Sequence, residues 1–145
     1  MAETLGMLCD KLTIVKLKQF HTEDEQRLIS LNNQATQLQS EIDRYVSDAV
    51  VGNIAADKLT FAANKVFKKQ GNEVADVTGA IGALFSQLAD VNCKLWHEVE
   101  KGYDIENVPV PEKDNLVKML AVLNLERNNC IDAIDLKFKE IIINK

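Results

Sequence analysis

Leu5, Leu8, Leu12 and Val15 follow one another at intervals of three and four residues, the spacing that winds one apolar stripe along an α-helix, and the pattern holds to about His21. Thr22 followed by Glu25 reads as a capping box that opens a second helix, whose stripe is Leu28, Leu31, Ala35, Leu38, Ile42 and Tyr45. So short a connection folds the two helices back as a hairpin. Between Val46 and Gln70 the regularity weakens. Gly52-Asn53 reads as a turn, and Leu59, Ala62, Ala63, Val66 and Phe67 predict a shorter helix stopped by Gly71. Asn72 then caps a long helix from about Glu73 to Lys101 with the stripe Ile81, Leu84, Leu88, Val91 and Leu95, in which Gly79 and Gly82 each cost about 1 kcal/mol of propensity. Pro109 and Pro111 interrupt the pattern, and Pro111 suits the first turn of a last helix bearing Leu116, Leu120, Leu123, Cys130, Ile134 and Phe138. Strand-like character is confined to the Ile141-Ile142-Ile143 tail.

The chain also repeats itself. Shifted by 76 residues, LGMLCDKLTIVKLKQFH falls on IGALFSQLADVNCKLWH with identities at Gly6/Gly82, Leu8/Leu84, Leu12/Leu88, Val15/Val91, Lys18/Lys94 and His21/His97. Leucines match easily between amphipathic helices; a Gly, a Lys and a His at fixed offsets do not. At an offset of 92 the following helices align through Leu31/Leu123, Asn32/Asn124, Ile42/Ile134 and Asp43/Asp135. The expectation is an all-α protein, a single domain over 1–145, in which two repeated antiparallel hairpins (5–45 and 73–140) form a four-helix bundle and 46–71 supplies a linker with a shorter helix. Gly6 and Gly82 are expected to superpose, each admitting a neighbouring helix.

GMLCDKLTIVKLK, NCKLWHEVE with VPVPEKD, and LNLERNNCIDAID carry the signatures G-x-L-x-D-K-L-T-I, N-x-x-L-W-H and L-N-x-x-R-N-x-x-I-x-x-I-D. In these the chain resembles a family of short all-helical bacterial and phage proteins of unknown function, some encoded near glycan-synthesis genes. The resemblance covers both hairpins and omits the middle segment. It implies recurring residues Asp10, Lys11, Lys18, Asn92, Trp96, His97, Lys113, Asn124, Arg127, Asn128 and Asp135, and no established activity. Val99 separates Glu98 from Glu100, a departure from the acidic pair that usually follows the His.

Composition narrows the function. The formal net charge of −5 has no cationic stripe within it, which argues against nucleic acid as a partner. No apolar run approaches the roughly 20 residues of a membrane span, and the opening lacks the pattern of a signal peptide, so no membrane is expected and the location expected is cytoplasmic. Cys9, Cys93 and Cys130 are isolated within helical patterns and read as buried, reduced thiols.

Arg127 falls on the apolar seam of the last helix, where the aligned residue of the first hairpin is Ala35. A guanidinium there needs a carboxylate or an anionic ligand. The hairpin register suggests Asp90 as the carboxylate. Lys18 with His21, and Lys94 with His97, each lie three residues apart on one helix face, with Phe20 or Trp96 before the His. These read as two equivalent basic corners suited to phosphate or carboxylate, the Trp adding a ring to stack on. Their alternative role is to close helix ends. Metal ligation is not expected, since Cys93, His97 and Glu100 have no second cluster at zinc spacing. No nucleophile elbow or phosphate loop is present.

Together these features predict a non-catalytic, cofactor-free, homo-oligomeric protein that binds a small anionic metabolite, a nucleotide or nucleotide derivative best matching the groups. If the source were a phage, it would serve to sequester that molecule. The candidate site is Lys94, Trp96, His97, Lys113, Asn124, Arg127 and Asn128, with Lys18 and His21 as the related corner. Two alternatives stand beside it. One is a structural module assembling through its helices, the apolar tail being in need of a partner surface. The other is a Mg²⁺-dependent all-α nucleotide pyrophosphohydrolase using His97, Glu100, Asp132 and Asp135.

Overall fold

The computed structural model describes residues 2–61 and 77–144, and the regular structure among these is all helical, with no strand. Four long helices, α1 (Leu5–His21), α2 (Glu25–Val50), α3 (Ile81–Tyr103) and α4 (Val110–Ile143), are supplemented by single 3₁₀ turns at Ala56–Lys58 and Ile105–Asn107. The helix predicted around Leu59–Phe67 falls largely outside the described residues.

Helix starts follow local chemistry. Thr4 caps α1 by accepting from the Met7 amide. Asp24, and not Thr22, caps α2: its Oδ1 accepts from the Gln26 and Arg27 amides, leaving Thr22 as the residue that ends α1. The helix α3 begins at Ile81 and not near Glu73, because Gly79 sits at φ +131°, a conformation outside the helical region. Pro111 lies in the first turn of α4, as its fixed φ favours.

The core is built from one stripe of each helix: Leu8 and Val15 of α1, Ala35, Leu38 and Tyr45 of α2, Leu84, Leu88 and Val91 of α3, and Leu123, Cys130, Ile134 and Phe138 of α4. Asp10 faces Arg127 and Gly6 faces Asp135, so α1 and α4 run antiparallel; Asp10 meets Asn92 and His21 meets Trp96, so α1 and α3 run parallel. Helix α1 therefore touches all three others, whereas α2 and α3 barely meet among the described residues.

That packing departs from the two-fold expected of the repeat. Both aligned segments are helical and begin at matching residues, Leu5 and Ile81. Their surroundings differ. Gly6 is buried against α4, where an added Cβ would stand 2.6 Å from the Ile131 carbonyl oxygen and 2.9 Å from Asp135 Oδ1; Gly82 is exposed and an added Cβ would meet nothing. The close approach expected at both glycines occurs at Gly6 alone. Opposite effects on stability are expected as a result. Gly82→Ala should gain up to about 1 kcal/mol from helix propensity. Gly6→Ala should lose about 2 kcal/mol, since α1 must back away from a carbonyl and a carboxylate. Urea unfolding of the two variants measures both.

Candidate functional site

Two polar constellations occupy the bundle, one largely buried among α1, α3 and α4 and one open at the α1–α2 turn. Inside, Asp10 lies 5% exposed on α1. Arg127 grips it at two points, Nε donating to Oδ1 at 2.8 Å and Nη2 donating to Oδ2. Asn92, wholly buried on α3, donates from Nδ2 to the same Oδ1 at 3.0 Å. The seam position of Arg127 thus does find a carboxylate, but the partner is Asp10 and not Asp90, which is exposed. The bond to Asp10 raises the guanidinium pKa, against the opposing effect of burial. At the positions the repeat would make equivalent stand Ser86 and Ala35, so the charged pair has no counterpart between α3 and α2.

About two turns from Arg127 toward the end of α4, Asp135 is 3% exposed and accepts from the Gly6 amide through Oδ1 at 2.7 Å. Burial pushes its carboxyl up to about 6, a rise that Asp132 adds to and that Thr4 and Gly6 oppose by hydrogen bonding. Burial, then Asp135 and Asp10, push the half-buried Cys9 thiol up to about 11, which disfavours its reactive thiolate; of the three cysteines expected to be buried, Cys130 is, whereas Cys93 is exposed on α3. Tyr45 of α2 packs its ring against Phe138, centroids 6.0 Å apart and planes inclined by 40°, and its hydroxyl is buried without a hydrogen-bond partner. Asp10 thus ties α1 to both α3 and α4, and Asp135 ties α4 to the start of α1.

The open constellation lies where α1 turns into α2. His21 stacks on Trp96 of α3, ring centroids 4.9 Å apart and planes inclined by 21°, and Phe20 meets His21 edge-on at 5.2 Å. Both rings of the stack are held from behind. His21 Nδ1 donates to the Leu17 carbonyl at 2.8 Å, which leaves Nε2 as its outward polar atom, and Trp96 Nε1 donates to Glu100 Oε1 at 2.8 Å. The stack is a ridge between two clefts. On one side, about 480 Å³ is lined by Lys18, His21, Thr22, Arg27, Ser30, Leu31 and Trp96. On the other, about 410 Å³ is lined by Leu17, Phe20, His21, Cys93, Trp96, His97 and Glu100.

The two basic corners read from the sequence are therefore not equivalent. Lys18, His21 and Trp96 meet in one place, with His97 on the far side of the ridge. Lys94 turns elsewhere, into a shallow cleft with Asp90 and Glu126. Lys113 and Asn128 are half-buried on α4 and Asn124 is exposed; none of them lines the two clefts, and Arg127 is engaged by Asp10. Arg27 and Ser30 were not singled out from the sequence. The signal was available in the hairpin itself, since a turn of three residues after His21 sets the first two turns of α2 beside Lys18 and His21.

Among the described residues no group of three or more His, Cys, Asp and Glu side chains is placed to hold a metal ion, and no helix is long and apolar enough to cross a membrane. The four residues of the pyrophosphohydrolase alternative are not gathered, for Asp135 is turned inward onto Gly6 while His97 and Glu100 line the surface cleft. Comparison with protein families, characterised proteins and solved structures found no match.

Proposed function

We propose that this protein binds a small anionic metabolite without transforming it, and that the site is the cleft of Lys18, His21, Arg27 and Trp96. The observation that carries the reading is the convergence of three cationic or protonatable side chains, from two helices, beside an indole fixed by its own hydrogen bond. Lys and Arg supply donors to phosphate oxygens, Thr22 and Ser30 add hydroxyls, and an aromatic ring serves the rest of the ligand. A nucleotide or nucleotide derivative uses all of these. Binding rather than catalysis is part of the proposal: Thr22 and Ser30 share the cleft with His21, and the hydrogen bond His21 makes is to the Leu17 carbonyl rather than to either hydroxyl.

Relative to the sequence expectation, the site proposed here keeps Lys18, His21 and Trp96, places His97 next to it and adds Arg27. Arg127 moves to the framework. Thermal unfolding with nucleoside monophosphates and pyrophosphate in the medium tests the reading. A ligand at a hundredfold excess over its Kd should stabilise by about 2.7 kcal/mol, roughly 8 °C in a chain of this size. The shift should vanish in the Lys18→Ala/Arg27→Ala double variant. No shift with any of these anions, or an equal shift in the variant, would refute the assignment.

A second reading, assembly through helix faces, is favoured by the exposure of Ile29, Val117, Leu136 and Ile143. Leu125 and Ile131 of α4, by contrast, are buried within the chain and offer no surface to a partner.

A further inference from the structure

We infer that the ligand is a guanine nucleotide, its phosphate held in the basic cleft and its base seated across the ridge, where Glu100 reads the base edge. This rests on the anion-site reading above and adds the identity of the ring.

The two clefts share His21 and Trp96, so a ligand leaving one enters the other by passing the same stacked pair. Their chemistry differs. The first has Lys18 and Arg27 and suits phosphate; the second is walled mainly by Leu17, Phe20 and Trp96 and suits a flat apolar ring. Phe20 is 85% exposed, a large aromatic surface at the rim that a bound base would cover. Glu100 lines the same cleft, one turn along α3 from Trp96. Its Oε1 already accepts from the Trp96 indole, which aims the carboxylate, and a carboxylate retains further lone pairs that can only accept. The base that satisfies such a group offers two adjacent donors. Guanine does, through its ring N–H and its exocyclic amine. Adenine presents a bare ring nitrogen beside its amine, so lone pair would face lone pair; uracil flanks its single N–H with two carbonyl oxygens. Glu100 is thus a specificity-determining residue, and the Trp96 hydrogen bond is what orients it.

Calorimetric titration of the full chain with GMP, AMP and pyrophosphate tests this, in wild type and in Glu100→Gln. Glutamine keeps an oxygen for the Trp96 indole and adds an amine that tolerates adenine, and the position is exposed, so the fold is not at risk. Wild type should bind GMP at least tenfold tighter than AMP, as hydrogen bonds to a charged acceptor allow. In Glu100→Gln the ratio should fall to within about threefold, while Lys18→Ala should weaken both nucleotides alike. Equal affinity for GMP and AMP in wild type, or a preference that survives Glu100→Gln, overturns the guanine assignment. Pyrophosphate binding with no gain for GMP overturns it too, leaving the anion site standing. If neither nucleotide nor pyrophosphate binds, both readings fall together.

Discussion

Replacing Arg127 by Met is expected to lower stability by about 3–5 kcal/mol at neutral pH, because it strands a carboxylate in the bundle. Asp10 has almost no exposed surface, and its two oxygens are matched to Nε and Nη2 of one guanidinium. Asn92 alone cannot neutralise it, and the Asn92 Oδ1 atom is itself buried without a partner. A loss of this size is a large share of the 5–15 kcal/mol that holds a typical domain together. The double variant Asp10→Asn/Arg127→Met should recover more than half of it. The amide oxygen at position 10 still accepts from Asn92, and no charge is left behind. Denaturant midpoints of wild type, single and double variants measure the effect. A loss below about 1 kcal/mol for Arg127→Met would show that the pair is not structural.

Asp135→Asn is expected to raise stability above pH 6 and to do little near pH 4. In the native state the carboxyl titrates at about 6, above the roughly 3.9 of an unfolded chain. Between those values the folded protein holds the extra proton, so stability falls as pH rises through the window and the penalty is complete above it. A shift of this size corresponds to roughly 2–3 kcal/mol. Asparagine imitates the protonated acid: its oxygen accepts from the Gly6 amide and its amine can donate to the Thr4 hydroxyl. The variant should therefore gain about 2 kcal/mol at pH 7.5, with wild type and variant converging near pH 4. Urea unfolding at the two pH values checks it, and a variant less stable at both would contradict the burial argument.

The four helices were legible because each carries an apolar stripe at three- and four-residue spacing, broken on α4 only by Arg127, and their hairpin connections followed from short turns. Element boundaries were less so. The start of α3 depended on the conformation of Gly79, and the start of α2 on a choice between Thr22 and Asp24 that only backbone geometry decides. Arg127 was recognisable as a charge on a seam. Its partner was not, since the hairpin register relates α4 to α3, whereas Asp10 comes from α1, 117 residues away. The candidate site was half legible for the same reason. Repetition of Lys-x-x-His drew attention to residues of α1 and α3 that border the two clefts, but the repeat suggested two separate corners. The stacking of His21 on Trp96, which makes one ridge between two clefts, depends on how α1 and α3 lie side by side.

The central claim is that the cleft beside Trp96 holds an anionic ligand, and the chain contains a single tryptophan. Its fluorescence therefore reports on the proposed site and on nothing else. Titration of the full chain with a nucleoside monophosphate should give a saturable change in Trp96 emission, displaced to at least tenfold higher concentration in Lys18→Ala/Arg27→Ala. An emission that stays constant through millimolar ligand, or a titration unaltered by loss of the two cations, would contradict the account.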